Sequence, residues 1–181
     1  MFSKRKSGAA EPDREFSSAH PLDESKIGDL VLPRLAVQPP AVFASTLMAG
    51  AAIDHFLAPM SLGLGWPGAI AGLVLGVSGV ALAMWSMQAY RRAASSPDPN
   101  HMPSTLVTTG PYRRTRNPIY LGSLLMVAGI GIGANVPWIL VLTVIAAFVV
   151  HYGIVLREEA YLEHVFGQRY LDFKSRVRRW V

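Results

Sequence analysis

Apolar residues fall along this chain in long uninterrupted blocks, separated by short polar or basic segments. The blocks run at about Ala41–Ala58, Trp66–Tyr90, Ile119–Ala134 and Pro137–Leu156. A helix crosses the hydrocarbon core in roughly 20 apolar residues, so the pattern predicts four membrane-spanning helices, the third of them short. Little more than Asn135 separates the last two blocks, which predicts an antiparallel hairpin. The expected fold class is all-α: an integral membrane helical bundle of four transmembrane helices with cytoplasmic C-terminal helices. Gly68, Gly72 and Gly76 in the second block, and Gly129 and Gly133 in the third, recur at four-residue spacing. Small residues so spaced let helix backbones approach closely.

The stretch before the first block is polar, with mixed charge and little periodicity. Residues 1–35 are expected to form a disordered cytoplasmic tail and 36–181 the membrane domain. Lys4, Arg5 and Lys6 imitate the basic start of a signal peptide, but no apolar run comes after them. Beyond the fourth block the helix is expected to continue to a C-cap at Gly167. Tyr170, Phe173 and Val177 then make an apolar stripe among basic residues, which suits a helix lying on an anionic membrane surface.

Composition agrees with the pattern. The chain is 51% apolar and only 16% charged, where soluble domains carry about 25% charged residues. A net charge of +5 would suggest nucleic acid in a soluble protein; here its distribution points elsewhere. All 17 Lys and Arg residues lie in the tail, between the second and third blocks, or after the fourth. None lies at 59–65 or 135–136. The positive-inside rule therefore places both termini and the central loop in the cytoplasm. The protein is expected in a membrane (the inner one in a bacterial cell), with the lipid bilayer as its partner and no nucleic acid. With no Cys, neither a disulfide framework nor a thiolate metal site is possible, and no metal is expected.

Two patterns look chemical and are set aside. Gly63-Leu64-Gly65-Trp66-Pro67-Gly68 matches the dinucleotide fingerprint in letters, but that motif works only between a strand and a helix. Asp54 and His55 lie close to Pro59, which suits a solvated helix end better than an intramembrane site.

Two segments carry more. In the first, Leu106-Val107-Thr108-Thr109-Gly110-Pro111-Tyr112-Arg113 leads into Arg116-Asn117-Pro118-Ile119-Tyr120-Leu121-Gly122. Asn117-Pro118 reads as an N-cap followed by proline at the first helical position. A helix start beside Arg113, Arg114 and Arg116 suits a carboxylate or phosphate. The second segment holds Glu158-Glu159, then Phe166-Gly167-x-x-Tyr170, then Arg176-Val177-Arg178-Arg179-Trp180. In an α-helix His151, Val155 and Glu158 share a face.

Together these motifs, over roughly Leu106–Val181, resemble the isoprenylcysteine carboxyl methyltransferase and phospholipid N-methyltransferase superfamily of integral membrane enzymes. The resemblance implies S-adenosyl-L-methionine as methyl donor and a membrane-partitioned acceptor. Carried over by position, it implies a donor pocket of Leu106, Val107, Tyr112, Arg116, Asn117, Pro118, Ile119, Tyr120, Glu158 and Glu159. Glu158 would accept hydrogen bonds from ribose hydroxyls or the donor's amino group, and the basic loop would take the donor's carboxylate. No catalytic residue is assigned. Three positions depart from the family: Asn117 replaces a frequent His, Ser104 replaces another with His101 nearby, and Ile154 stands where carboxyl-methylating members carry Arg. The implied function is an isoprenylcysteine carboxyl methyltransferase-like enzyme acting on an apolar or amphipathic acceptor, a carboxylate first. A phospholipid or amine N-methyltransferase, a small-thiol S-methyltransferase and a non-catalytic membrane subunit are the alternatives.

The topology has a direct test. Reporter fusions after Gly63 or within 135–136 should read as external, and those after Pro99 or at Val181 as cytoplasmic. A cytoplasmic 59–65 loop would overturn the orientation.

Overall fold

A computed structural model describes residues 38–93 and 105–181. The expected tail, and His101 and Ser104, lie outside the described residues. The described chain is helical without a named strand. Helix α1 spans Pro39–Ala52 and continues as a π turn to Leu57. Helix α2 spans Gly65–Ala93. A 3-10 turn at Gly110–Arg113 precedes α3, Pro118–Gly133. Helix α4, Pro137–Val150, passes through a π turn at His151–Val155 into α5, Leu156–Phe166, and α6 covers Gln168–Arg176.

Three helical stretches, Pro39–Leu57, Gly65–Ala93 and Pro137–Phe166, are long and apolar enough to cross a membrane. The apolar α3 has 16 residues, or about 24 Å at 1.5 Å per residue, just under the hydrocarbon thickness. Large apolar side chains such as Leu73, Val77, Ile145 and Phe148 are more than half exposed. Water would not tolerate so many, and lipid accepts them. The protein is an integral membrane helical bundle.

Glycine sets the closest contact in that bundle. A Cβ on Gly72 would overlap the backbone of Gly133, and one on Gly129 would overlap Gly76. A Cβ on Gly79 would come within 2.5 Å of the Gly122 carbonyl oxygen. Helices α2 and α3 therefore touch backbone to backbone along the whole length of α3. Of the glycines marked in the sequence, Gly68 takes no part in this contact, since its neighbour is Leu64. Gly79 and Gly122 extend it, seven residues beyond Gly72 and Gly129.

At one end, the turn into α4 puts Asn135 in the left-handed region at φ 61°, a conformation Asn tolerates. Asn135 Oδ1 accepts from Leu62 N at 2.9 Å, and its Nδ2 donates to Ser61 Oγ at 2.6 Å. Trp138 Nε1 donates to the Ala58 carbonyl at 2.7 Å. The α1–α2 loop and the α3–α4 turn are thus tied together, as two loops on one side of a membrane must be. Asp54 caps this same end by accepting from Met60 N at 3.1 Å.

Two expectations change. The π turn breaks the seven-residue register that placed His151 and Glu158 on one face, because it adds a residue to the turn. The Tyr170–Phe173 stripe also does not face lipid: Tyr170 is 1% and Phe173 6% exposed, both covered by protein.

Overpacking the glycine contact should destabilise the bundle. Gly79→Ala should cost about 1–3 kcal/mol or more, read as a lower melting temperature in detergent, and Gly129→Val should abolish folded protein. Gly153→Ala is the control, because a Cβ there meets nothing within 4 Å. Equal melting of Gly79→Ala and Gly153→Ala would refute the packing role.

Candidate functional site

The ends of α2, α3 and α4–α5 that lie away from the Asn135 turn enclose a cavity of about 500 Å³. The segment between α2 and α3 supplies one wall. Gly110, at φ 62°, turns the chain against α2, and the 3-10 turn beginning there presents Tyr112. Pro118 then starts α3, exposing Ile119 and Tyr120 on its first turn. All ten residues singled out from the sequence line this one cavity: Leu106, Val107, Tyr112, Arg116, Asn117, Pro118, Ile119, Tyr120, Glu158 and Glu159. The fold thus brings together segments some forty residues apart.

Sequence reasoning missed the rest of the wall. Pro39 and Pro40 at the start of α1, and Met87 and Tyr90 at the end of α2, line the cavity, as do Tyr161 and Phe166 of α5 and Tyr170 and Phe173 of α6. The aromatic stripe of α6 was the only signal among them. A larger groove of about 690 Å³ between α1 and α4 is lined by Gln38, Ser45, Thr46 and apolar residues, with no titratable group.

The two glutamates have separate roles. Glu159 is 5% exposed. Arg179 grips it with two bonds, Nε to Oε1 and Nη2 to Oε2, both 2.9 Å. Arg116 Nη2 stands 3.4 Å from Oε1. The bond to Glu159 raises the Arg179 guanidinium pKa further still. Such a bidentate pair is among the stronger and more directional contacts a carboxylate makes. Glu158 is instead exposed at the cavity mouth, where its Oε1 accepts from the Tyr120 hydroxyl at 2.9 Å. Among the described residues no cation pairs with it. Burial, then Tyr90 and Glu158, push the Tyr112 hydroxyl up to about 12, so it stays protonated and able to donate.

The last residues are tied to the segment that leads into α3. Arg116 N donates to the Arg178 carbonyl at 3.0 Å, in a parallel bridge between Thr115 and Arg178. Thr115 Oγ1 and Asn117 Nδ2 both donate to the Arg179 carbonyl, at 3.0 and 3.1 Å. Asn117 occupies the N-cap position of α3 but makes no side-chain cap; its amide holds the C-terminal segment instead, which corrects the capping expectation. Trp180 Nε1 donates to His151 Nδ1 at 3.2 Å. With Nδ1 accepting, a neutral His151 carries its proton on Nε2 and offers no lone pair there.

Arg179→Gln would leave the buried Glu159 with Arg116 alone. A hydrogen bond to a charged group is worth about 1.5–3 kcal/mol, so the variant should melt several degrees lower in detergent. Arg176→Gln, whose Nε donates to the Asp172 carbonyl one turn back, should melt like the parent, and identical melting of the two variants would refute the clasp.

Comparison with curated proteins and with solved structures returns no match. The family pattern for phospholipid methyltransferases does match, over residues 68–169. That range holds nearly all of α2, the whole of α3, α4 and α5, and all ten cavity residues marked in the sequence, and covers more than half the chain. The resemblance read from the motifs and this match coincide on the same group of membrane methyltransferases. The chain belongs to the phospholipid methyltransferase family.

Proposed function

We propose that this protein is an S-adenosylmethionine-dependent methyltransferase that methylates the amine headgroup of a membrane lipid. The observation that carries the reading is the cavity: a methyltransferase-family chain places Glu158, a carboxylate with no cation partner among the described residues, five tyrosines and a buried arginine around one chamber at the end of its membrane helices. The chamber is large enough for a nucleoside and its side chain. Glu158 and the hydroxyls of Tyr120 and Tyr112 suit the donor's ribose and amino group. The N–H groups near Leu106 and Val107 suit an adenine edge. Bound there, the donor would supply an activated methyl group on a sulfonium sulfur.

The chain's own contribution is alignment and exclusion of water, which suffice for much of an in-line displacement. Charge decides between acceptors. In transfer to an amine that reaches the chamber as the free base, its ammonium proton left to water, the nitrogen lone pair forms a nitrogen–carbon bond, the carbon–sulfur bond breaks with its electron pair going to sulfur, and the positive charge passes from sulfur to nitrogen. Glu158 then faces one cation before and after the reaction. A carboxylate acceptor would approach Glu158 as a like charge, and the products would leave Glu158 without a counter-charge. Glu159 gives no help to such an acceptor, since it already occupies Arg179 and part of Arg116. Ile154 is 0% exposed in the core, so that position offers no cation either. His151, held by Trp180, is not a base for this step.

The orientation with both termini cytoplasmic rests on the one-sided basic residues and puts the chamber on the side where the donor is made.

Two measurements test the reading. Protein in vesicles of phosphatidylethanolamine, given isotopically labelled donor, should yield methylated headgroups by mass spectrometry. Label found only on prenylcysteine carboxylates would overturn the amine assignment. Glu158→Gln should weaken binding of S-adenosylhomocysteine about tenfold, equal to 1.4 kcal/mol, while Glu163→Gln should bind like the parent. Equal binding by both would remove Glu158 from the donor site.

A further inference from the structure

The groove between α1 and α4, about 690 Å³ in volume, has no part in the site described above. Ala41, Ser45 and Ala49, successive turns of one α1 face, line it together with Leu142, Ile145 and Val149 of α4. The small residues on the α1 side give the groove its depth. It offers a ligand no charge and no spare hydroxyl. The Ser45 and Thr46 hydroxyls both donate to the Val42 carbonyl, at 2.9 and 2.8 Å. A polar solute would lose its water there without replacement, whereas an aliphatic chain gains from every methylene it buries.

The length of the groove selects the kind of chain. From Gln38 to Ala49 the α1 backbone rises about 16 Å at 1.5 Å per residue, and one leaflet contributes about 15 Å of hydrocarbon. Past Ala49 the two helices close on each other, since a Cβ on Gly50 would lie 2.9 Å from the Ile139 backbone. The groove therefore runs from one interface to about the middle of the bilayer and stops. A spanning helix of a second copy would need about twice that length and would run into the closed stretch. One acyl chain of one leaflet fits. The interfacial end of the groove adjoins the chamber: Gln38, Ala41 and Val42 line the groove, while Pro39 and Pro40, in the same first turn of α1, line the chamber.

We propose that the α1–α4 groove holds one acyl chain of the acceptor phospholipid while its headgroup reaches the chamber over the start of α1. The identity of the lipid rests on the proposed function; the place of the chain rests on the groove alone. Ser45 and Ala49 then act on specificity, because a larger side chain at either position fills the space a chain would occupy. Ala44 is also exposed on α1 but does not line the groove, so enlarging it leaves that space open.

The full chain in phosphatidylcholine nanodiscs, with a trace of phosphatidylethanolamine carrying a photoreactive diazirine midway along one chain, tests this. Peptide mapping should find the label concentrated on residues 41–49 and 142–149. Label spread equally over the lipid-facing Leu73 and Val77 of α2 would refute the groove. This arm uses the unaltered chain, so it decides even where a variant fails to fold. In the second arm, Ser45→Leu and Ala49→Leu should raise KM for long-chain phosphatidylethanolamine about tenfold, the equivalent of about two buried methylenes. The same variants should leave kcat, S-adenosylhomocysteine binding and KM for a short-chain phosphatidylethanolamine unchanged, and Ala44→Leu should match the parent throughout. Groove labelling with unchanged KM in both variants would assign the groove to a bystander lipid and overturn the proposal. A parent dimer that Ser45→Leu converts to a monomer would give the groove to a second copy and overturn it as well. A parent that methylates no phosphatidylethanolamine refutes the proposed function, and the labelling then still decides whether the groove holds a lipid chain.

Discussion

Glu159 is a carboxylate at 5% exposure, and an ionised carboxylate removed from water is costly unless cations and hydrogen bonds replace the solvent. The arrangement around the cavity answers that requirement. Arg179 meets both oxygens, and Arg116 stands behind it. To bring Arg179 there, the chain end must cross the segment before α3, where its carbonyls collect the donors of Thr115, Arg116 and Asn117. The same path lays Trp180 against the helical core and onto His151. One buried charge thus determines where the C-terminal segment lies and which atoms of Asn117 and His151 remain available.

The clasp works only if its two sides are held at the right separation, and that falls to the bundle. The glycine contact lets α2 and α3 lie backbone against backbone, so the start of α3 and the end of α2 become walls of one cavity. From the other side, the π turn at His151–Val155 rotates α5 relative to α4. Glu158 consequently reaches Tyr120 while Glu159, its neighbour, is buried against Arg179. Adjacent carboxylates acquire opposite roles: Glu159 is neutralised and structural, while Glu158 has no cation partner among the described residues and lines the cavity.

That division suits the proposed methyl transfer. A sulfonium donor is a cation, and an unpaired carboxylate near tyrosine faces and hydroxyls is a suitable environment for one. Family membership establishes membrane methyl transfer as the setting.

Much of this was legible in the order of residues. Blocks of apolar residues about as long as a bilayer is thick must become helices in lipid, where every backbone polar group needs an internal partner; all four were found within a few residues of their expected ends. The Arg-Asn-Pro-x-Tyr and Glu-Glu segments are local signals, and their ten marked residues meet at one cavity. Other features depended on contacts between distant segments and had no local signature. Asn117-Pro118 looks like a cap in one dimension; only the arrival of the Arg179 carbonyl turns the amide away from the helix. His151 and Glu158 share a face by α-helical arithmetic, and an inserted π turn removes it. The α6 stripe of Tyr170 and Phe173 suits a lipid surface as well as a protein one, since hydrophobicity does not name its partner. The tertiary structure decided for protein: both rings are buried, with Tyr170 beside Glu159 and Arg116.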